Sequence, residues 1–411
     1  MKVEKCRGFK DIAPAEMERF RQVEAVFRDT CLKWGYKEIR TPTLEYLYLF
    51  TSVGTLTPGM LRRVYSFLDW DGWSGERVVL KPDGTIPAAR FYVESIKKGL
   101  ARLFYITNVF IFEETGKKPR ERWQCGAELI GENSAIADTE LVALAMDALR
   151  RLGLEDIKIR ISHAGLIRAL LQKLELGQQE QNRVFDQILE GDLEVLAGFK
   201  ADKPELVEAL SLLLKLKGKS SGFLKNIKAV SSRKLPEFTA SLDNFIAMVE
   251  QLEKLGCDYR IDLASGKGFE YYTGIIFHLY SGQEIIGGGG RYDDLIPQMG
   301  GKETPAAGFA LYMDSLLKLV KTAETAKRRV LVSISPQAMK EGFDVAAALR
   351  QAGLIVELAL GEKPEKDCDW LLEVKAKSPL FTLIDKTNKR RSEVNSADGV
   401  LAMLGCGGDD A

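Results

Sequence analysis

Apolar side chains at Phe20, Val23, Phe27, Cys31 and Leu32 recur at helical spacing within residues 15–34 and stop at Gly35, which predicts an amphipathic helix. Tyr36 to Thr41 then reads as a strand closed by Pro42. Strand character continues at Val78–Leu80, Leu103–Ile106, Val109–Glu113 and Gln124–Ile130, the last two joined by the polar loop Glu114–Arg122. This is the pattern of a mostly antiparallel sheet. A helix is predicted over 137–152, and Ile157–Ile161 alternates as a strand with one wet face. From about 164 to 255 the spacing becomes helical throughout, without strand-like alternation, so a helical insertion between two parts of one sheet is expected. Sheet character resumes at Tyr259–Leu263 and runs to Gly308–Leu311, followed by a helix near 312–324. The polar run Lys321–Arg329 reads as a linker. Beyond it Val330–Ile334, a helix near 337–352, Ile355–Leu360, Trp370–Val374 and Phe381–Ile384 alternate as a small α/β domain, with Gly405–Ala411 as a frayed tail.

One segment departs from ordinary patterning. Lys267-Gly268-Phe269-Glu270-Tyr271-Tyr272 precedes a β-branched and aromatic run, which leads to Gly287-Gly288-Gly289-Gly290-Arg291-Tyr292-Asp293. Four consecutive glycines lose much backbone entropy on folding, so a strand that carries them is expected to be approached closely by something else. Adjacent tyrosines on a strand point to opposite faces, one to line a cleft and the other to pack beneath it. Together these features predict a small-ligand pocket.

Composition narrows the classes. At 411 residues the chain is expected to form two or three domains. Its 58 basic residues equal its 58 acidic ones, which removes the simplest case for a protein that coats itself with nucleic acid. No long apolar run is present and Met1–Cys6 lacks a signal-peptide core, so a cytoplasmic location is expected. Cys6, Cys31, Cys125, Cys257, Cys368 and Cys406 are scattered without a C-x-x-C pair, and only His163 and His278 could join them. No metal site is expected, and the thiols are read as reduced.

The helix, the strand ending at Pro42, the strand-loop-strand with a charged loop, and Gly308-Phe309-Ala310-Leu311 leading into a helix resemble the three motifs of class II aminoacyl-tRNA synthetases. The specific resemblance is to histidyl-tRNA synthetases and covers about residues 6–320. Arg7-Gly8-Phe9-Lys10-Asp11-Ile12 is similar to that family's opening, and Leu80-Lys81-Pro82-Asp83-Gly84-Thr85 to its L-R-P-E-G-T stretch. Lys267–Tyr272 and Gly287–Asp293 resemble its two histidine signatures, R-G-L-D-Y-Y and G-G-G-R-Y-D. The resemblance implies an α+β fold: an antiparallel class II-like sheet flanked by helices in residues 1–325, with the helical insertion at about 164–255. Residues 326–411 would form a small α/β domain like a reduced anticodon-binding domain.

Residue by residue, the resemblance implies a histidine pocket of Asp83, Thr85, Gln124, Glu128, Lys267, Tyr271, Tyr272, Gly288, Gly289 and Arg291. Asp83 stands where the family has glutamate, and with Thr85 it would hold the ligand's α-ammonium. Gln124 and Glu128 lie four apart on the same side of one strand and would grip the amino group and the ring, over a floor formed by Gly287–Gly290. The plain alternative is that the carboxylates are solvated strand faces and the tyrosines core aromatics.

The nucleotide half differs. Where the family places an arginine in F-R-x-E, this chain has Phe110-Ile111-Phe112-Glu113, and the arginine of the third motif is replaced by Ser315. Lys267 keeps the charge of the signature arginine without its bidentate fork. Removing one donor to a developing charge typically costs about 2.7–4 kcal/mol, and two such losses approach ~10⁴–10⁶ in rate, since joint effects do not simply add. Lys117, Lys118, Arg120 and Arg122 on the loop either substitute or form a solvated hairpin tip. In the small domain only Lys386, Lys389, Arg390 and Arg391 cluster, which weakens the case for a tRNA grip.

A kept amino-acid pocket with a dismantled adenylation site resembles the HisZ-type regulatory subunits of ATP phosphoribosyltransferase. That resemblance implies no catalytic residues and no cofactor. It implies a short catalytic partner subunit (HisG), L-histidine as effector, and a homodimer within a hetero-oligomer. An active histidine–tRNA ligase with unusual arginine substitutes, or a histidine-sensing module for another partner, are the alternatives.

Overall fold

The computed structural model describes residues 3–52, 63–70, 75–112, 119–189, 192–199, 204–215, 217–231, 238–264, 271–322, 328–360 and 368–406. They fall into two units, Met1–Thr322 and Ala323–Ala411. The strands of the first unit are β1 (Lys37–Glu38), β2 (Leu44–Tyr46), β3 (Ser66–Trp70), β4 (Gly75–Leu80), β5 (Ala101–Phe110), β6 (Glu121–Ile130), β7 (Ile157–His163), β8 (Lys217–Gly218), β9 (Tyr259–Asp262), β10 (Ile275–Ser281), β11 (Glu284–Arg291) and β12 (Ala306–Tyr312). Nine of them form one sheet in the order β1-β5-β6-β12-β11-β10-β7-β9-β8, and β2-β4-β3 form a small sheet. The centre of the large sheet is antiparallel, whereas β1 with β5 and β7 with β9 pair in parallel.

One face of the large sheet packs on two long helices. The helix Pro14–Lys33 begins with proline, whose fixed φ suits a first turn, and ends before Gly35, whose φ of 80° breaks the helical path. It buries Phe20, Val23, Phe27 and Cys31 against that face, with the Phe27 ring edge-on to Phe104 of β5 and Phe309 of β12. The helix Ala135–Arg151 is capped by Ser134, whose hydroxyl accepts from the Ala137 N–H at 3.3 Å, and closes with Arg150 and Arg151 near its negative end. The insertion is built of helices at Ala164–Gln172, Gln178–Leu189, Pro204–Lys215, Ser221–Ser231 and Phe238–Lys254.

The second unit has its own core of Val330, Val332, Leu349, Leu372, Leu383 and Val400. Its strands β13 (Arg329–Ile334), β14 (Ile355–Leu358), β15 (Trp370–Val374), β16 (Phe381–Asp385) and β17 (Arg391–Val394) pair in the order β14-β13-β15-β16-β17, with helices at Met339–Gln351 and Ala397–Met403. No helix of the described residues is long and apolar enough to cross a membrane.

Several local expectations change. The strand expected over Tyr36–Thr41 pairs only at Lys37–Glu38, and the two expected at Leu103–Ile106 and Val109–Glu113 are one strand, β5. β8 interrupts the helical insertion and attaches to β9, a pairing too short to show as alternation. β2, β3, β17 and the helix Ala397–Met403 carry too little periodicity to be seen in the sequence. The loop tip with Lys117 and Lys118, and the segment with Lys267, lie outside the described residues.

The glycine run is β11 itself, hydrogen-bonded on both sides, and strand alternation divides it. Gly288 and Gly290 face away from the two long helices. Gly287, Gly289 and Arg291 face toward them, so only half of the expected glycine floor can meet a ligand from the open face. At Gly289 a Cβ would stand 2.2 Å from the Gly308 carbonyl oxygen, a backbone atom that cannot swing aside. Gly289→Ala is therefore expected to force β11 and β12 apart at about 1–3 kcal/mol, read as a lower urea midpoint.

Candidate functional site

The face of the sheet turned away from the long helices is set by register. Glu128 of β6 stands opposite Gly308 of β12 and Leu103 of β5, Gly126 opposite Ala310 and Tyr105, and Gln124 opposite Tyr312 and Thr107. Gly288 and Gly290 continue the row on β11 opposite Ala310 and Gly308. The middle of this face is thus nearly free of side-chain bulk, and larger polar groups rim it.

Glu128 is the centre of the site and is fully buried. The Tyr105 hydroxyl donates to its Oε1 at 2.9 Å and the Tyr292 hydroxyl to its Oε2. Its carboxyl occupies the space a side chain at residue 308 would need, since a Cβ on Gly308 would come within 1.6 Å of Oε2. Tyr105 is admitted in the same way: a Cβ on Gly126 would lie 2.3 Å from its ring. Burial pushes the Glu128 pKa up to about 8; hydrogen bonds from Tyr292, Tyr105 and Thr85 act the other way, and the nearby Asp83 adds to the rise. None of these leading influences is a cation.

Asp83 and Thr85 sit where β4 gives way to the helix Thr85–Phe91. Asp83 Oδ2 accepts from the Ile86 N–H at 3.0 Å, so the carboxylate caps that helix as well as facing the site. Burial nevertheless drives its pKa up to about 6, against the pull of the backbone N–H groups of Ile86, Thr85 and Gly84. Thr85 reaches Glu128, Tyr105 and Tyr271 with its hydroxyl.

Tyr271 and Tyr272 do not divide between two faces as a strand would require. They precede β10 in irregular backbone, their rings are 5.1 Å apart, and Tyr271 stands edge-on to Tyr292 at 5.5 Å. Burial, with the charges of Asp83 and Glu128 acting on both, lifts the two phenols well above their ordinary range, so they remain neutral. Gln124 completes the rim. It is 8% exposed, and its Oε1 is buried without a hydrogen-bond partner among the described residues, an acceptor free to take a donor from a ligand.

The structure therefore brings Asp83, Thr85, Gln124, Glu128, Tyr271 and Tyr272 onto one face, with Gly288 beneath. It does not bring Gly289 or Arg291 there. Arg291 is 2% exposed on the opposite face, donating to Asp138 at 2.8 and 3.0 Å, to Asp293 at 3.0 Å and to the Glu132 carbonyl at 3.1 Å. Its guanidinium ties the helix Ala135–Arg151 to β11 and is occupied. Tyr105, Tyr292 and Gly308 are positions of the candidate site that the sequence reading did not select. The signal available for Tyr105 and Gly308 was the pairing of a bulky residue with glycines across neighbouring strands, which needs the register.

The positions of the missing arginines are filled by other interactions. Ile111 continues the β5–β6 ladder through its N–H to the Arg120 carbonyl at 2.9 Å. The Ser315 hydroxyl donates to Glu284 at 2.9 Å, beside Lys318 on the same carboxylate at 2.6 Å. Arg120 lies 4.1 Å over the Phe112 ring, and Arg122 donates to the Pro119 carbonyl at 3.1 Å. What remains is an acceptor-rich and phenol-lined face suited to a ligand with N–H donors and positive charge.

A sequence model of the histidyl-tRNA synthetase family matches residues 8–316. Over 413 residues, spanning the whole of both chains, the sequence is 48% identical to an ATP phosphoribosyltransferase regulatory subunit of Dehalococcoides mccartyi. It is 34% identical to a histidine–tRNA ligase of Methanocaldococcus jannaschii across 89% of this chain and 88% of the relative. Among solved structures it is similar to an ATP phosphoribosyltransferase regulatory subunit/histidyl-tRNA synthetase from Bacillus halodurans, with a TM-score of 0.75 and 27% identity over 89% of this chain and 95% of that one.

Truncating Asp138 leaves a buried guanidinium without its main partner, on the face away from the pocket. Asp138→Ala is expected to lower stability by about 3–5 kcal/mol in urea unfolding. Ligand affinity measured well below the unfolding transition is expected to change far less.

Proposed function

The chain belongs to the histidyl-tRNA synthetase-like family of ATP phosphoribosyltransferase regulatory subunits, and we propose that it makes a short catalytic phosphoribosyltransferase subunit active and conveys inhibition by histidine to it. It is a regulatory subunit and not an aminoacylating enzyme. An enzyme that activates an amino acid with ATP needs fixed positive charge at the phosphates, and Ile111 and Ser315 stand where the resemblance requires that charge.

The observation that carries the histidine reading is the buried pair of carboxyls, Glu128 and Asp83, ringed by phenols and by the unpartnered Gln124 oxygen. Such a site is incomplete without a donor-rich cation. Histidine supplies an ammonium group and an imidazole with N–H donors, and it is small enough to lie between Gln124 and Glu128. Lys267, outside the described residues, is proposed to meet its carboxylate. Histidine would then bias the assembly between active and inhibited forms only as far as its affinity differs between them.

The second copy and the catalytic subunit need surfaces. The region around the helix Pro14–Lys33 and β1 offers a cavity of about 640 Å³ lined by Phe20, Ile39, Ile106 and Trp123, with Arg28 and Glu38 at its rim. We assign this side to a homodimer within the hetero-oligomer, and the cytoplasm to the assembly.

Mixing this chain with a short catalytic phosphoribosyltransferase subunit is expected to raise that subunit's activity strongly, and added histidine to abolish the gain. Unchanged activity on mixing, or brisk histidine-dependent pyrophosphate–ATP exchange by this chain alone, would overturn the reading. By calorimetry, Tyr272→Phe and Glu128→Gln are expected to weaken histidine binding by about tenfold to a hundredfold, the range for losing a hydrogen bond to a charged group.

A further inference from the structure

We propose that the pocket binds histidine in exchange for a proton: the arriving cation takes the place of the proton that Glu128 holds in the empty site, and that proton leaves to solvent. The inference rests on the histidine pocket proposed above. It begins with what surrounds the carboxyl. From β5 comes the Tyr105 hydroxyl, from the residue after β11 the Tyr292 hydroxyl, and from the start of the helix Thr85–Phe91 the Thr85 hydroxyl. The turn before that helix adds Asp83, the segment before β10 adds Tyr271 and Tyr272, and β12 offers only the bare backbone of Gly308. Among the described residues Glu128 enters no ion pair.

Among the described residues the basic side chains close by are turned elsewhere; Lys267, assigned above to the ligand's carboxylate, lies outside them. Lys81 is almost wholly buried and donates to the Thr41 hydroxyl at 3.1 Å and carbonyl at 3.3 Å, and Arg291 is bound to Asp138 on the opposite face of the sheet. A carboxylate sealed from water with only neutral donors is costly, so the empty pocket keeps Glu128 protonated, in line with the upward displacement to about 8. A cation placed against it reverses the balance, since an opposite charge at close range lowers a carboxyl pKa by about one to three units. The net event is a neutral acid plus a cationic ligand becoming a carboxylate–cation pair plus a free proton. Atoms and charge balance without any other reactant.

The sign follows. Glu128 has a higher pKa in the free protein than in the complex, so between the two values binding releases a proton and affinity rises with pH. The rise is up to about tenfold per unit and levels off near the free value of about 8. Asp83 acts in the same direction but lower, around pH 6. The ligand's own imidazole, with an ordinary pKa of about 6.5, is mostly neutral when free at pH 7.5, so the wild type compared with Glu128→Gln at that pH reads mainly the Glu128 contribution.

The test is titration calorimetry of the full chain with L-histidine at pH 7.5 in phosphate and in Tris, whose ionisation heats differ. The wild type is expected to release roughly half to three quarters of a proton more than Glu128→Gln, and its affinity to climb more steeply with pH. Should Glu128→Gln fail to fold, Tyr292→Phe carries the test. It removes a hydroxyl that favours the carboxylate, so proton release must move to higher pH, and release at an unchanged pH would overturn the proposal. Equal proton exchange by wild type and Glu128→Gln would also overturn it, while leaving histidine binding itself intact. Absence of histidine binding to the chain and to its complex with the catalytic subunit would remove both this inference and the pocket on which it rests.

Discussion

A buried carboxyl group that enters no ion pair among the described residues sits on the third strand of a nine-stranded sheet, and much of the surrounding architecture is what that placement requires. Glu128 can be fully buried because Tyr105 and Tyr292 satisfy its two oxygens. Tyr105 and the carboxyl itself fit only because residues 126 and 308 have no side chains. The glycines in turn weaken the strands that carry them, and the strands persist because each is paired on both sides within an antiparallel sheet. Burial, hydrogen bonding and glycine placement are one constraint seen from three directions.

The two faces of β11 show how tightly function and framework are kept apart. Arg291 and Gly290 are neighbours in sequence, yet the arginine anchors the helix Ala135–Arg151 through Asp138 while the glycine faces the phenol-lined site. The buried ion pair and the buried acid cluster are separated by the thickness of one strand. The guanidinium of Arg291 is committed to the opposite side. Among the described residues that division leaves the phenol-lined face with acids and no ion pair to Glu128.

The large elements were legible in the sequence because they are long and periodic. The helix ending at Gly35, the strands around Gln124–Glu128 and the change to helices after residue 164 follow directly from spacing. The pocket was legible as a set of residue types. Which side chains meet was not, because that depends on register. Gly289 and Arg291 belong to the same signature as Gly288, and alternation alone removes them from the site. Tyr271 and Tyr272 were expected on opposite faces, and irregular backbone before β10 lets both rings point the same way. Tyr105 was hidden inside an ordinary apolar run, since nothing local marks it until Gly126 is known to lie opposite. β8, at two residues, is below the length at which any pattern exists.

A binding site becomes a sensor when recognition survives and chemistry does not. Here the acceptors and phenols that suit an amino acid are assembled on one face, while Ile111 is spent on a strand ladder and Ser315 on Glu284. Without the two arginines that the resemblance requires at the phosphates, the binding energy of an amino acid has no adenylation transition state to stabilise. That energy is then available to favour one conformation over another. On the proposed reading the acids that hold the ligand acquire a second consequence, because filling the pocket would change the protein's charge at a fully buried point. A change of charge in a low-dielectric interior is felt over longer distances than a change of contact. On that reading the burial that pushes the Glu128 pKa up gives a small effector more leverage than its size alone would provide.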